Sequence, residues 1–579
     1  MNPFGTVIQT QYAFALAYMV DLCQSQTLCV IIGDIKDQLA SVSMKKKAIE
    51  LNPEFQRALD IMERTDKCVF VTGRAGTGKS TLLEYFRSVT QKKVAVLAPT
   101  GVAALNVKGQ TIHSFFRFKP GITVDKIRKL RDDDDDNSIY QELDAIVIDE
   151  ISMVRADLLD CVDAFLRLNG PDKRRPFGGI QMVFIGDLYQ LPPVVKGDEK
   201  TIFNSLYETP YFFSAHVMSR LEMEFVELEK IYRQHDEHFI SLLNAIRNNS
   251  VTDESLALLN ERCLSNFTPP PEAYYIYLTT TNALAEGINR EQLERLSGDL
   301  YTLKGRVSGE LETENLPTAI ELKVKVGAQI MLLNNDSAAR WVNGSVGRIT
   351  AIDTENNDEP VVIVRLSGGY EVEVTPYTWE VFRFFIEDGK LETEVTGTFR
   401  QYPLMLAWAV TIHKGQGKTF EKVVIDIGRG TFAHGQMYVA LSRCTSLEGI
   451  ILKKPIRKNH IWMDWKVVKF LTKFQYDKAA LSLPVDEKIA LIEKAIRDRT
   501  TLKITYLKPN DEKSQRIIAP KEVGEMEYNS VKYTGLKAYC YTRRADRTFR
   551  VDRILKIEEL KDKEAIEISK GRYHASERD

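Results

Sequence analysis

The segment Gly73–Ser80, GRAGTGKS, constrains this chain more than any other. It follows the apolar run Cys68–Val71 and precedes a helical pattern from Thr81 to Phe86. It therefore reads as a tight loop between a buried strand and a helix. Its pattern, G-x-x-x-x-G-K-[ST], is that of a phosphate-binding loop. Gly73, Gly76 and Gly78 let the backbone wrap an anion, and the backbone N–H groups and helix N-terminus favour negative charge. Lys79 is expected to reach the β- and γ-phosphates of ATP, Ser80 to offer its hydroxyl to Mg²⁺, and Thr81 to complete the cradle.

Further short apolar runs alternate with helical stretches: Val94–Pro99, Ala145–Glu150, Met182–Asp187 and Val423–Ile427. Near-continuous runs of this kind suit a parallel sheet buried on both faces. Ligands then bind beyond the carboxyl ends of the strands, where these runs stop in Pro, Asp-Glu and Gly-Asp. The chain has 579 residues, room for roughly three or four domains. Its net charge of −2 excludes a strongly basic protein, so any positive surface for nucleic acid must be local. Its seven cysteines form no C-x-x-C pair and read as reduced, in a cytosolic protein.

The first forty residues differ from the rest. Tyr12–Gly33 is apolar but interrupted by Asp21, Gln24 and Gln26, with no basic region before it, which argues against a membrane span or signal peptide. Met44, followed by three lysines, makes a natural start, so residues 1–43 read either as an overlong start or as a loosely held extension. The acidic run Asp132–Asp136 reads as a solvated loop. From Lys323 to Val395, short β-like runs alternate with turns at Asn343–Gly344, Gly368–Gly369 and Asp388–Gly389. That pattern predicts a small β-barrel inserted in an α/β region.

Asp149 and Glu150 end an apolar strand. In that position Asp149 can hold Mg²⁺ through water and Glu150 can activate the attacking water. Capping of the following helix is the alternative use of two carboxylates there. In GDLYQLPPV, Gly186–Val194, Gln190 follows a strand that ends in Gly-Asp, and its amide can report the γ-phosphate. Pro192 and Pro193 stiffen that loop.

Together GRAGTGKS, APTGVAAL (Ala98–Leu105), IDEISM (Ile148–Met153) and GDLYQLPPV resemble motifs I, Ia, II and III of superfamily 1 helicases, group B. PFGGIQMVFIGDLYQLPP (Pro176–Pro193) is similar to the signature of the petite-integration-frequency, or Pif-type, helicases. KIYRQ (Lys230–Gln234), AVTIHKGQGKTF (Ala409–Phe420) and YVALSRC (Tyr438–Cys444) resemble motifs IV, V and VI in the same order. The resemblance implies an α/β fold with two RecA-like domains and ATP between them, Arg233 and Arg443 reaching the γ-phosphate from the second domain. Gln56 resembles the glutamine that reads adenine. Thr100, Thr111, His113, Ser114, Thr411, His413 and Lys414 match positions that hold the DNA backbone. Phe115 or Phe116 either stacks on a base or packs in the core.

The resemblance further implies 5′→3′ movement on single-stranded DNA, with tailed or forked duplexes as substrates and roles in replication, repair or telomere maintenance. A monomer in the bacterial cytoplasm, at the nucleoid and not at a membrane, is expected. The divisions expected are an extension (1–45), RecA-like domain 1 (46–225) with a wedge (about 115–138), RecA-like domain 2 (226–475) with the barrel (about 344–398), a linker (476–488), a C-terminal module (489–562) and a tail (563–579).

That last module has an amphipathic stretch, Asp486–Arg497, then the β-like runs Leu502–Leu507, Arg516–Pro520, Leu536–Arg544 and Thr548–Ile554. It resembles a WYL domain, although Tyr533-Thr534-Gly535-Leu536 stands where the Trp-Tyr-Leu would be. Arg516, Arg543, Arg544, Arg550 and Arg553 with Tyr539 and Tyr541 suit single-stranded nucleic acid or a phosphorylated small ligand; a solvated face on a spacer is the alternative. A DNA-stimulated ATPase switch, governed by this module and without strand separation, is the second reading of the whole chain.

Overall fold

Strands rich in Val, Ile, Leu and Phe with no polar alternation cannot face water, so they assemble as buried parallel sheets. The computed structural model describes residues 52–560 except 120, 131–136, 196–198, 310–315, 355–358, 388–389, 429, 432 and 529–530. The extension 1–45, the acidic run Asp132–Asp136, the Asp388–Gly389 turn and the tail 563–579 lie outside the described residues. The chain divides into two units, Met1–Gln56 and Arg57–Asp579. Residues 52–56 of the first open the helix Pro53–Arg64, where Phe55 N donates to Asn52 Oδ1 at 2.8 Å.

The second unit begins with a six-stranded parallel sheet. Its strands are β1 (Cys68–Gly73), β2 (Val94–Ala98), β3 (Gln110–Thr111), β4 (Ala145–Ile148), β5 (Gln181–Ile185) and β6 (Met223–Leu228), in the order β3-β2-β4-β5-β1-β6. Because β4, β5 and β1 are neighbours, the three segments that follow them emerge side by side. β6 pairs with β1 from Cys68↔Met223 to Gly73↔Leu228. This sheet therefore ends at Leu228, past the boundary expected at 225.

β7 (Ile276–Thr279) opens a second sheet, which the chain then leaves for a β-rich insertion. There β8 (Tyr301–Lys304) pairs with β10 (Glu321–Val324), and β9 (Arg306–Gly309) joins a hairpin of β15 (Tyr377–Glu387) and β16 (Lys390–Gln401). The strands β11 (Gln329–Leu332), β12 (Val346–Asp353), β13 (Val361–Leu366), β14 (Glu371–Val374) and β17 (Leu404–Leu406) form an antiparallel sheet, ordered β14-β13-β12-β11-β17. The insertion thus extends beyond 344–398, because β11 and β17 pair at Ile330↔Leu406. The chain returns with β18 (Ala409–Thr411), β19 (Val423–Asp426) and β20 (Ile450–Leu452), giving a parallel sheet ordered β18-β7-β19-β20.

The expected linker is helical. The helix Trp465–Ser482 is separated by only Leu483 and Pro484 from the helix Val485–Asp498. Proline fixes its own φ and favours the start of a helix, which breaks the two helices without loosening the joint. β21 (Leu502–Leu507), β22 (Lys513–Tyr528), β23 (Val531–Cys540), β24 (Ala545–Arg550) and β25 (Ile554–Glu559) follow as an antiparallel sheet, ordered β24-β23-β22-β21-β25. Its core packs Ile492 of the second helix against Ile504, Ile518, Leu536 and Ile554. Among the described residues no helix is long and apolar enough to cross a membrane.

Candidate active site

The phosphate-binding loop occupies the carboxyl end of β1, as its sequence predicts. Gly76 has φ of 82°, and a Cβ there would lie 2.5 Å from the Cβ of Arg233. Glycine is therefore required twice over, by conformation and by close approach. The loop is held from outside: Tyr232 N donates to Gly76 O at 2.9 Å and Ala75 N donates to Tyr438 Oη at 3.0 Å. Lys79 and Ser80 start the helix Lys79–Val89, whose N-cap is Gly78. Lys79 Nζ donates to Gly73 O at 2.7 Å and Arg74 O at 3.0 Å. Burial pushes the Lys79 ammonium down, and the facing carboxylates Asp187, Glu150 and Asp149 push it back up.

Asp149 and Glu150 stand at the end of β4. Glu150 makes no side-chain capping bond and adopts φ of 50°, a left-handed conformation that costs a non-glycine residue about 1 kcal/mol or more. Glu150 thus does not cap the turn that follows it. Burial, then the neighbouring Glu150 charge, lifts Asp149 to about 7. Glu150 is raised by burial and held in check by Lys79 and Arg443. Gln416 Nε2, from the loop after β18, donates to Glu150 Oε2 at 3.1 Å.

Gln190 sits beyond β5, where its Nε2 donates to Asp187 Oδ2 at 3.2 Å. The loop is gripped by the second sheet's side of the molecule: His434 Nε2 lies 3.1 Å from Leu188 O. Gly435 packs so close that a Cβ would lie 2.2 Å from Tyr189 O.

Arg233 follows β6, and Arg443 follows the helix Gln436–Leu441. Arg233 Nη1 donates to Ser442 O at 3.2 Å. Arg443 is 1% exposed. Its Nε donates to Val439 O at 2.9 Å, Nη1 to Lys418 O at 3.3 Å and Nη2 to Ser442 Oγ at 3.0 Å. Burial and the facing Arg233 charge push Arg443 down to about 9, with Glu150 and Asp187 opposing. Lys79, Asp149, Glu150, Arg233 and Arg443 therefore share one electrostatic site at the facing ends of two sheets. Gln416, Asp187 and Tyr438 belong to it too and were not singled out in the sequence. The signal was present, since each lies inside a motif already recognised. Gln56 lies in the first turns of the helix Pro53–Arg64.

The residues expected on DNA lie at the carboxyl ends of β2, β3 and β18. Thr100 Oγ1 accepts from Ala103 N at 3.3 Å, Thr111 Oγ1 from Ser114 N at 3.0 Å, and Thr411 Oγ1 from Lys414 N at 3.3 Å. These hydroxyls shape turns that carry Ser114 and Lys414, both exposed. His113 and His413 are half-buried, and burial lowers His413 below the ordinary histidine value. Phe115 corrects the expectation of base stacking. It is 5% exposed, with its ring 4.9 Å from Phe116, 5.4 Å from Tyr140 and 6.0 Å from Phe384 of the insertion's hairpin. Its side chain is core, because four aromatic rings bury more apolar area together than one could on a base.

A phosphate cradle, paired carboxylates and arginines brought together by two parallel sheets define a P-loop nucleotide hydrolase with two RecA-like folds. Residues 51–256 match the family model described as PIF1-like helicase, and residues 487–559 match the WYL domain. The ATP-dependent DNA helicase Pif1 of Bdellovibrio bacteriovorus is 32% identical over 437 residues, covering 74% of this chain and 93% of that protein. The mouse ATP-dependent DNA helicase PIF1 is 34% identical over 409 residues, and the match covers 69% of this chain and 59% of the mouse protein's length. Bacteroides Pif1 in complex with ADP-AlF4 superposes with a TM-score of 0.68 at 37% identity, covering 74% of this chain and 98% of that one. Bacteroides Pif1 bound to single-stranded DNA gives 0.54 at 38%, covering 73% and 96%. The chain belongs to the PIF1-like helicase family and carries a C-terminal WYL domain.

Proposed function

We propose that this chain is an ATP-dependent DNA helicase that moves 5′→3′ on single-stranded DNA and parts the duplex ahead of it. The observation that carries the reading is the single buried site in which Lys79, Asp149 and Glu150 of the first sheet face Arg443 and Gln416 of the second. Such a site transmits the state of a γ-phosphate between two bodies. Lys79 takes the β- and γ-phosphates, Glu150 receives a proton from the attacking water, and Arg233 and Arg443 stabilise the charge on the transferring phosphoryl group. Gln416 orients the Glu150 carboxylate. Gln190 reads the γ-phosphate through the same loop as Asp187. Gln56 selects adenine.

Ser80 and Asp149 would hold Mg²⁺. One hydroxyl and one carboxylate form the hard-oxygen set that leaves a magnesium ion its phosphates and waters. Bound there, the cation would offset the negative charge of the phosphates.

Thr100, Thr111, His113, Ser114, Thr411, His413 and Lys414 grip the DNA backbone without reading sequence, which permits movement along any strand. The segment after Phe116 is the wedge, rooted by buried Phe118 and Ile127. Direction of travel rests on the family resemblance, as does work as a monomer in the bacterial cytoplasm. The test is strand separation on duplexes with a 5′ or a 3′ single-stranded tail, with ATP and Mg²⁺ and with Lys79→Ala as control. Unwinding of the 5′-tailed duplex alone is expected. DNA-stimulated ATP hydrolysis with no unwinding of either duplex would replace this reading with that of a switch.

A further inference from the structure

The C-terminal module does more than sit beside the motor. β21 and β22 form a hairpin closed at Leu507↔Lys513. Its turn is tight: Lys508 N donates to Glu512 O at 2.9 Å, Asp511 N donates to Lys508 O at 3.1 Å, and Asp511 adopts φ of 61°. Asp and Asn tolerate that left-handed conformation better than most residues. The turn inserts Asp511 into the protein until it is 6% exposed.

What it meets there is the loop after β5. Tyr189 Oη donates to Asp511 Oδ2 at 2.9 Å, and Gln475 Nε2, from the helix before the module, donates to Asp511 Oδ1 at 2.7 Å. The Arg247 guanidinium lies 3.9 Å from the centre of the Tyr189 ring, and its Nη2 is 3.8 Å from Asp187 Oδ1. Asp187 in turn accepts from Gln190. A continuous line of contacts thus runs from Asp511 through Tyr189 and Arg247 to Asp187 and Gln190. Two residues along the hairpin, Lys513 Nζ contacts Glu227 Oε2 and Glu229 Oε1, both at 2.6 Å. Those glutamates flank Leu228, which pairs with Gly73 at the start of the phosphate loop.

We propose that Asp511 is a positioning residue for ATP hydrolysis: through the Tyr189 hydroxyl it fixes the loop that carries Asp187 and Gln190. A spacer domain has no use for this arrangement. Burying a carboxylate is costly unless its hydrogen bonds are met, and an apolar contact would dock the module more cheaply. Burial, with the Glu227 charge second, raises Asp511 to about 6 against the pull of Arg247, Tyr189 and Lys513. That cost stands in the folded protein because the geometry is specific. The module therefore bears on the loop of the γ-phosphate sensor at Tyr189, a loop that His434 and Gly435 also grip. Asp511 lies within the WYL domain, so this side chain ties the state of that domain to the ATPase. This inference rests on the ATPase assignment made above.

The experiment uses the full chain with Asp511→Ala, Tyr189→Phe and Asp511→Asn. Tyr189→Phe deletes a single oxygen and so preserves the fold if Asp511→Ala does not. Asp511→Asn keeps an oxygen for Tyr189. Its new amide group then faces Gln475, whose Oε1 is buried with no hydrogen-bond partner among the described residues, so a turn of the Gln475 amide satisfies both. Measured are kcat and KM for ATP in the presence of single-stranded DNA, affinity for a labelled oligonucleotide, and Tm. Expected is a kcat lowered about tenfold in Asp511→Ala and Tyr189→Phe, the effect of losing one charge-assisted hydrogen bond. KM and DNA affinity stay within about twofold, and Asp511→Asn restores most of the rate. Unchanged kcat in Tyr189→Phe and Asp511→Ala overturns the proposal. So does an equal loss in Asp511→Asn accompanied by a lowered Tm, which makes Asp511 structural. Absence of DNA-stimulated hydrolysis in the unmodified chain would instead overturn the ATPase assignment.

Discussion

Arg443→Ala separates a catalytic arginine from a structural one. The guanidinium is 1% exposed and donates three hydrogen bonds, of which that to Lys418 O crosses to another segment. Val439 O is the helical carbonyl four residues back and keeps its bond from Ser442 Oγ. Lys418 O loses its charged donor in a half-buried place. Leaving such an acceptor unmet costs about 1–3 kcal/mol, and the lost side-chain packing adds about 1 kcal/mol, so the variant should fold with a lowered Tm. The effect on rate is larger. A guanidinium placed on a transferring phosphoryl group is worth about 10³–10⁵ in kcat. Against that, Lys79 and the amides of the phosphate loop keep the ground-state contacts with ATP, so KM should shift by no more than about threefold. Arg443→Lys keeps the charge but not the planar fork and should fall between the two. The assay is phosphate release from the full chain with saturating single-stranded DNA, over a range of ATP concentrations, at a temperature where Tm data show the variant folded. A kcat within about threefold of the unmodified protein would show that Arg443 only braces its helix and the Lys418 loop.

Gln416→Ala removes the amide that orients Glu150 and should lower kcat about tenfold without altering ATP affinity; an unchanged rate would leave Glu150 oriented by other groups. Phe115→Ala should act on stability, costing about 3–5 kcal/mol by emptying an aromatic core, and DNA affinity of the folded fraction should persist. An unchanged Tm with lost DNA binding would restore Phe115 to the stacking role. Lys414→Ala, at an exposed position beyond β18, should weaken single-stranded DNA binding for every sequence alike and reduce the salt slope by about one-half to one charge. A slope unchanged from that of the unmodified chain would take Lys414 off the DNA.

Most of the architecture was legible because its signals are local. Glycines that permit the phosphate loop, a lysine after them, and apolar runs ending in Asp-Glu or Gly-Asp specify strand, turn and ligand class within a dozen residues. The parallel order of β4, β5 and β1 then brings those ends together, and the motifs in series identified the family. The module's strands were legible too, from alternation and turns. Boundaries were less so. The first sheet runs past residue 225 because the pairing of β6 with β1 leaves no mark on its own sequence, and Leu483-Pro484 separates two helices where a linker over 476–488 is expected.

What only tertiary structure decided are the contacts between residues remote in the chain. Phe115 became core because Tyr140 and Phe384 came to it. Gln416 found Glu150 across 266 residues, and Asp511 found Tyr189 across 322. Residue type and spacing carry information about neighbours along the chain, whereas a hydrogen bond depends on distances of about 3 Å in space. The identity of the motor is therefore written in local patterns, but the wiring of its C-terminal module to the nucleotide site exists only once the chain has folded.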